Sequence, residues 1–369
     1  MNNPCHTLSR VAATLLSLIT IGALFAVPFF APRAIVQDLF GVLTLLVLAL
    51  NWNMLAGFAG LVSVGQQAFV GIGAYAMFAA VILWGLDPMV GILIGGLAAT
   101  LFAIPMAFFT FRLNGAYFAI GTWVVADISR LTAGQWMALG GGTGTSLPKG
   151  TARDMFGVEA IKEVLDVSSA AAADALTYWV ALTLTLLLLV ASYLFLRSRM
   201  GLGLQAIRDN ANAARSVGVD PVRIKVAVFI FTALGTGLCG ALMFMQITRV
   251  TPDAAFSVID WTAFVIFVVV IGGIGTLPGP IIGVAVFYCL QRLMADYGTA
   301  YLIVLGLLGI PIMLFARRGL WGTFVDRTGL EILPLRHLAP PRRCSEDVSR
   351  LAASQPANGM ENRRSVTSI

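Results

Sequence analysis

The chain has 369 residues, 58% hydrophobic and only 11% charged, with a formal net charge of +6. Globular domains use about 25% charged residues to wet their surfaces, so this composition excludes an ordinary water-soluble protein and points to a bilayer. Two histidines (His6, His337) and four cysteines (Cys5, Cys239, Cys289, Cys344) without metal-ligand spacing give a catalytic or zinc centre little to work with.

Ten apolar windows long enough, or nearly so, to cross a hydrocarbon core follow in order. Val11 to Phe30 comes first. Arg10 and the small residues near Ala26 and Ala31 give it the look of a signal peptide, but it is read as a retained first span. Ile35 to Ala56, Ala68 to Trp84, Met89 to Phe111, Gly115 to Leu131 and Thr177 to Leu196 precede a polar interruption; Val226 to Ile247, Ile259 to Ile271, Ile281 to Leu293 and Ala300 to Ala316 follow it. The windows flanking Gly272 to Pro280 are short, so the expected fold is an all-α polytopic membrane protein of about 8–10 transmembrane helices.

Lys and Arg concentrate in cytoplasmic loops. With the chain starting inside, Arg10, Arg112, the segment 197–225 and Arg317/Arg318 fall on one side, which places both termini in the cytoplasm; Arg33, Arg249 and Arg292 depart from the rule. The longest internal connection, residues 132–176, falls outside. Residues 1–319 are expected to form the membrane domain. Residues 320–369, aperiodic and rich in Arg, Pro and Ser, have the composition of a disordered cytoplasmic tail.

Polar groups at membrane depth are costly and tend to face a cavity or a partner helix. Asn51 and Asn53 close the second window, Ser63, Gln66 and Gln67 mark the entry to the third, and Tyr117, Thr122 and Asp127 lie in the fifth. Ser63, Gln66, Gln67, Tyr117, Thr122 and Asp127 are the candidate translocation path. Asp127 has Arg130 on the same helical face, which allows a structural ion pair or a transient contact with a substrate ammonium. Glycine-rich breaks at Gly57 to Gly65 and Gly272 to Gly279 are tight turns or gate elements, with Gly60, Gly65, Gly272 and Gly275 as hinges.

The polar interruption, Arg197 to Lys225, holds Arg197, Arg199, Arg208, Arg215, Arg223 and Lys225 against Asp209 and Asp220. Leu204, Ile207, Ala211, Ala214 and Gly218 recur at helical spacing, predicting one amphipathic helix, Leu204 to Val217, with a stop at Gly218 and Pro221 beyond it. Its apolar face is expected to be open to a partner.

The order of residues in QAIRDNANAARSVGVDPVRIKVAVF resembles the coupling loop of ABC importer permeases, in the branched-chain amino-acid permease family of the LivM type. The matching positions are Ala206, Ile207, Arg208, Asp209, Ala213, Ala214, Gly218, Arg223 and Lys225. GLVSVGQQAFVGIGAY (Gly60 to Tyr75), FRLNGAYFAIGTWVVADISRL, the stretch Gly140 to Leu147 and GGIGTLPGPIIG (Gly272 to Gly283) resemble further family segments in the same order, over Asn51 to Gly319. Ala211 stands where an acid is common in the family, and residues 153–174 follow none of its patterns.

This resemblance implies an inner-membrane permease subunit that forms the path for branched-chain amino acids, with a cytoplasmic coupling helix seated on an ATPase through Leu204, Ile207, Arg208, Asp209, Asn212, Ala214, Arg215 and Gly218. Its implied partners are a second related permease, two ATP-binding cassette ATPases, a periplasmic substrate-binding protein and the lipid bilayer; nucleic acid is not among them. The glycine-rich GGGTGTSLPKG lacks the spacing and Lys-Ser/Thr ending of a phosphate loop, so no cofactor is expected in this chain, and ATP and Mg belong to the partners. A permease for urea, amides or other amino acids is an alternative within the family. An ion-coupled secondary transporter is the alternative from another class, and it is short of embedded titratable groups.

Overall fold

The computed structural model describes residues 19–113, 115–294, 303, 304, 306, 307 and 319–328. Helices account for nearly all of it. They are α1 (Ile19–Phe30), α2 (Arg33–Asn53, continued by a π turn Met54–Phe58), α3 (Gln66–Trp84), α4 (Pro88–Thr110), α5 (Ala116–Gly134), α6 (Val158–Leu165) and α7 (Ser169–Arg197). After these come α8 (Arg199–Asp209), α9 (Ala211–Ser216), α10 (Pro221–Ile247), α11 (Pro252–Ala255), α12 (Phe264–Gly272, entered through a π turn Ile259–Ala263), α13 (Gly279–Leu293) and α14 (Gly319–Thr328).

Among the described residues, six spans have the length and apolarity to cross a membrane: Arg33–Phe58, Gln66–Trp84, Pro88–Thr110, Ser169–Arg197, Pro221–Ile247 and Pro252–Gly272. α1 and α13 are shorter apolar helices. α5 is as long as α3 but carries Asp127 and Arg130. Eight of the ten predicted windows therefore fall on helices, the first does so over its described part, Ile19–Phe30, and the tenth, Ala300 to Ala316, lies outside the described residues apart from isolated positions. The chain is an all-α, multi-pass membrane protein.

The centre is built from α3, α4 and α10, which approach closely because glycines replace side chains where they cross. A Cβ added at Gly95 of α4 would lie 2.5 Å from the Gly73 carbonyl of α3, and Cβ atoms at Gly73 and Gly237 would run into α10 and α4. In lipid, where hydrophobicity does not drive helix association, such contact supplies the dispersion that holds helices together. The opposite face of α4, Leu93, Leu97, Leu101, Ile104 and Phe108, is exposed along its whole length, an apolar ridge that suits lipid or another membrane helix. α2 packs on α7, and α12 and α13 pack on each other and on α2.

The segment 197–225 lies at one end of the bundle, here called the basic end, with the C-termini of α2, α4, α7 and α12 and the N-termini of α3, α5, α10 and α13. At the opposite end the connection 132–176 is more ordered than its sequence suggests. It holds two short turns, a two-residue strand that pairs antiparallel with a second one, Arg249–Val250, just after α10 (Thr145 with Val250, Ser146 with Arg249), α6, and the first turns of α7. Ser168 caps α7, accepting from the Ala171 N–H at 3.3 Å, so the helix begins eight residues before the apolar window. Asp87 ties the connection down, accepting from the Phe156 N–H at 2.9 Å while capping α4 through Met89.

Asp174 consequently lies in a helix rather than a loop. It is buried, and it accepts from Arg33 and, at 3.0 and 2.7 Å, from Gln37 and Gln246, joining α2, α7 and α10. Arg292 of α13 pairs with Asp38 of α2 in the same way. The tail boundary also moves: Gly319–Thr328, expected in part to be disordered, is a helix packed on α12 and α13 with Trp321 buried. Residues 329–369 lie outside the described residues.

Candidate functional site: a junction at the basic end

Each of the two glycine-rich breaks is irregular, as expected, and the structure brings them together. At the end of α2 the backbone loosens into a π turn, and the chain then runs without helix to Gly65. Gly60 has φ +68°, a conformation costly for any other residue type. Trp52 Nε1 donates to the Ser63 carbonyl at 2.9 Å, and Thr122 Oγ1 of α5 accepts from the Val64 N–H at 3.1 Å. Gly65 packs directly on the Thr122 backbone, leaving no room for a side chain.

The second break, residues 273–278, connects α12 to α13. Gly272 lies tightly against Gly279, and Gly275 has φ +77°. Asn53 joins the two breaks: its amide donates to the Thr276 carbonyl and accepts from the Gly275 N–H, both at 2.8 Å. A Cβ on Gly57 would stand 2.5 Å from the Gly275 nitrogen. In a buried site such a two-way amide contact satisfies backbone groups that would otherwise cost about 1–3 kcal/mol each.

The predicted coupling helix is two helices. Asn210 is extended (φ −159°, ψ 106°), ending α8, and its Oδ1 accepts from the Ala213 N–H at 3.1 Å, which starts α9. Gly218 (φ +85°) ends α9 as expected, and Asp220 caps α10 through the Val222 and Arg223 N–H groups at 3.0 and 3.3 Å. The apolar face is turned inward. Leu204, Ile207 and Ala214 are buried against this chain's own helices, α8 on α7 and α10 and α9 on α10, so they are not the surface left for a partner. Leu202, Arg208, Arg215, Val217 and Gly218 are exposed; the side chains of Asp209 and Asn212 lie outside those described.

Arg208 connects this segment to the junction. Its Nη1 lies 2.9 Å from where a Cβ on Gly275 would be, so the guanidinium rests on the second break at the glycine that Asn53 holds from the other side. Sequence reading found Arg208, Gly275 and the two breaks separately. It left Asn53 out of the site because nothing local distinguishes a clamping asparagine from a packed one.

The six path residues divide into two groups. Ser63, Gln66, Gln67 and Thr122 are buried and serve the break: Gln66 Nε2 donates to the Leu48 carbonyl at 2.9 Å, and Gln67 accepts from Thr262 in the π turn before α12. Tyr117 and Asp127 lie on the outward face of α5 with Ile120, Val124 and Leu131, 73% and 51% exposed respectively. Asp127 pairs with Arg130 at 2.9 Å, and Arg130 also reaches Asp253 of α11 at 2.8 Å. The ion pair expected within α5 is therefore present as a triad that ties α5 to α11. Among the described residues, no group of three or more His, Cys, Asp or Glu side chains could hold a metal ion.

A family described as branched-chain amino acid transport system / permease component matches residues 35–316. Among curated proteins, the chain is similar to the high-affinity branched-chain amino acid transport system permease protein LivM of Salmonella typhimurium strain LT2, 28% identical over 320 residues that cover 83% of this chain and 74% of the relative. It is likewise similar to the protein of the same name from Escherichia coli strain K12, 29% identical over 307 residues that cover 79% and 71%. No solved structure gives a significant match.

Proposed function

Because the chain belongs to the family of branched-chain amino acid transport permease components, we propose that it is the membrane subunit of an ABC importer, carrying leucine, isoleucine or valine inward and driven by ATPases on other chains. In this reading the basic end faces the cytoplasm of a bacterial inner membrane, both termini lie there, and the partners are a second related permease, two ATP-binding cassette subunits that hold ATP and Mg, and a periplasmic binding protein.

The contact of Arg208 with Gly275 carries the proposal. A coupling element is useful only if its displacement reaches the helices that gate the path, and here an exposed segment touches the point where two helix breaks are pinned together. When the ATPases close, α8 and α9 move with them. Packing on α7 and α10 carries part of that motion, and Arg208 delivers the rest to residues 273–278 and, through Asn53, to the end of α2. A junction of glycines and a π turn accommodates the change in backbone angles at low cost, whereas an unbroken helix resists it.

The path itself runs along the outward face of α5, closed by the second permease. Half-exposed charges such as Asp127 and Arg130 are expensive against lipid, so that face belongs to a watery passage or a protein contact. Tyr117 and Asp127 line it, and Ser63, Gln66, Gln67 and Thr122 hold its inner border in shape.

Co-expression with the ATPase subunits tests this reading. Arg208→Glu places an acid where the segment meets both its partner and Gly275; it is expected to lower recovery of ATPase with the permease and to reduce ATP-driven uptake of labelled leucine at least tenfold, about 1.4 kcal/mol of coupling, while membrane insertion continues. Full recovery and full uptake in this variant would sink the assigned role of Arg208.

A further inference from the structure

Near the junction, on the outer side of the first break, lies a cavity of about 490 Å³ enclosed by residues 60–62, the α4–α5 turn and the starts of α5 and α10. Leu61, Val62, Phe111 and Phe118 form its apolar walls, and Arg215 of α9 and Lys225 of α10 supply two positive charges. No carboxylate among the described residues pairs with either cation, whereas their neighbour Arg223 is matched to Asp220 at 3.1 Å. Two like charges lining one cavity repel each other, and an anion between them relieves that repulsion.

The shape of the cavity limits the anion. Its lining has no carboxylate to receive an ammonium group, so a zwitterionic amino acid satisfies only half of its own charge there. The remaining wall is apolar, and Val62, Leu113 and Val222 continue it onto the exposed surface. Lys225 stands one residue before the apolar run of α10, and Phe111 directly follows α4, so the cations lie where two spans leave the hydrocarbon. Basic pockets between spans at this depth take phospholipid headgroups.

We propose that this cavity binds an anionic phospholipid from the leaflet on the basic side, its phosphate between Arg215 and Lys225 and the start of one acyl chain against Leu61, Val62, Phe111 and Phe118. The lipid bridges α9, α10 and the α4–α5 turn. This assigns Arg215 to the membrane rather than to an ATPase surface, and it holds whatever the permease carries.

Native mass spectrometry of the full-length chain, titrated separately with phosphatidylglycerol, phosphatidylcholine and inorganic phosphate, tests the proposal. The wild-type chain is expected to retain one phosphatidylglycerol at collision energies that strip phosphatidylcholine. At about 1 kcal/mol for each basic residue, the Arg215→Gln/Lys225→Gln pair weakens that retention roughly 30-fold. Arg223→Gln, already paired, leaves it intact, and Arg215→Lys/Lys225→Arg, which keeps both charges, restores it. Equal retention of the two lipids by the wild-type chain overturns the proposal without reference to any variant. Inorganic phosphate competing as well as phosphatidylglycerol reduces the site to a free-anion site, and loss of the lipid when the ATPases assemble assigns it to a protein acid; either result also overturns it.

Discussion

Asn51 and Asn53 look equivalent in the sequence, two polar residues closing the same apolar window, yet the fold uses them differently. Asn53 makes two hydrogen bonds of 2.8 Å to the break at 273–278. Asn51 is as deeply buried against Gly235 and Leu188, and its side chain makes no hydrogen bond among the described residues. Asn53→Ala strands the Gly275 N–H and the Thr276 carbonyl, and a loss of roughly 2–4 kcal/mol is expected from two unsatisfied backbone groups. Asn51→Ala removes no such bond and should cost roughly 1 kcal/mol or less. Thermal unfolding of both variants in one detergent checks the order; equal destabilisation would remove Asn53 from its clamping role. The carboxylates give the same lesson. Asp127 stands alone in an apolar window and is visible in the sequence, but it is half exposed in its triad. Asp174 reads as one of several acids in an outer loop, and it is the one buried beneath Arg33 because a serine cap starts α7 early. A residue's type and window are local facts; its partners, here on other helices, are not.

At the level of elements, the spans were legible because a bilayer demands long apolar runs, and the ends of α9 and α10 because Gly218, Asp220 and Pro221 act locally. The division of the coupling segment was missed, although Asn210 is a good helix cap, because the apolar spacing runs through it unbroken. That spacing reports burial without naming what buries it, and here the chain's own α7 and α10 do so. Close helix crossings are also hard to read, since many of the 38 glycines serve other ends. Gly237 and Gly41 separate these uses. A Cβ at Gly237 would collide with Ala99 of α4, whereas one at Gly41, mid-helix in α2, meets nothing within 4 Å. Gly237→Val is expected to force α4 and α10 apart at a cost of at least about 1–3 kcal/mol, seen as poor yield and a lower unfolding temperature. Gly41→Ala should be neutral or gain up to about 1 kcal/mol from the restricted unfolded chain. Comparable yields for Gly237→Val and wild type would mean that the three-helix contact is looser than described.

For the whole molecule the open quantity is sidedness, which rests on where unmatched positive charge lies. Arg33 and Arg292 fall at the far end and depart from the positive-inside pattern in the sequence. In the fold each is matched, to Asp174 and Asp38, so neither adds net positive charge there, and of the three departures only Arg249 is left without a carboxylate among the described residues. At the basic end Arg208, Arg215 and Lys225 have no matching carboxylate among the described residues, and Arg112 lies over the Phe108 ring, leaving that end strongly positive. Unmatched Lys and Arg near span ends hold their loops on the cytoplasmic side, so the basic end should be inside and the strand-bearing connection outside. Val217 and Thr143 are exposed at the two ends and suit single-cysteine labelling. In a background with the native cysteines replaced, a membrane-impermeant maleimide applied to spheroplasts should modify Thr143→Cys and spare Val217→Cys, and inverted vesicles should give the opposite pattern. Labelling of Val217→Cys from outside the cell would reverse the orientation, moving the coupling segment beyond the reach of any cytoplasmic ATPase and the lipid cavity to the outer leaflet. Labelling of both from one side would instead require an even number of spans between them, a different topology from the single span, α7, that separates them here.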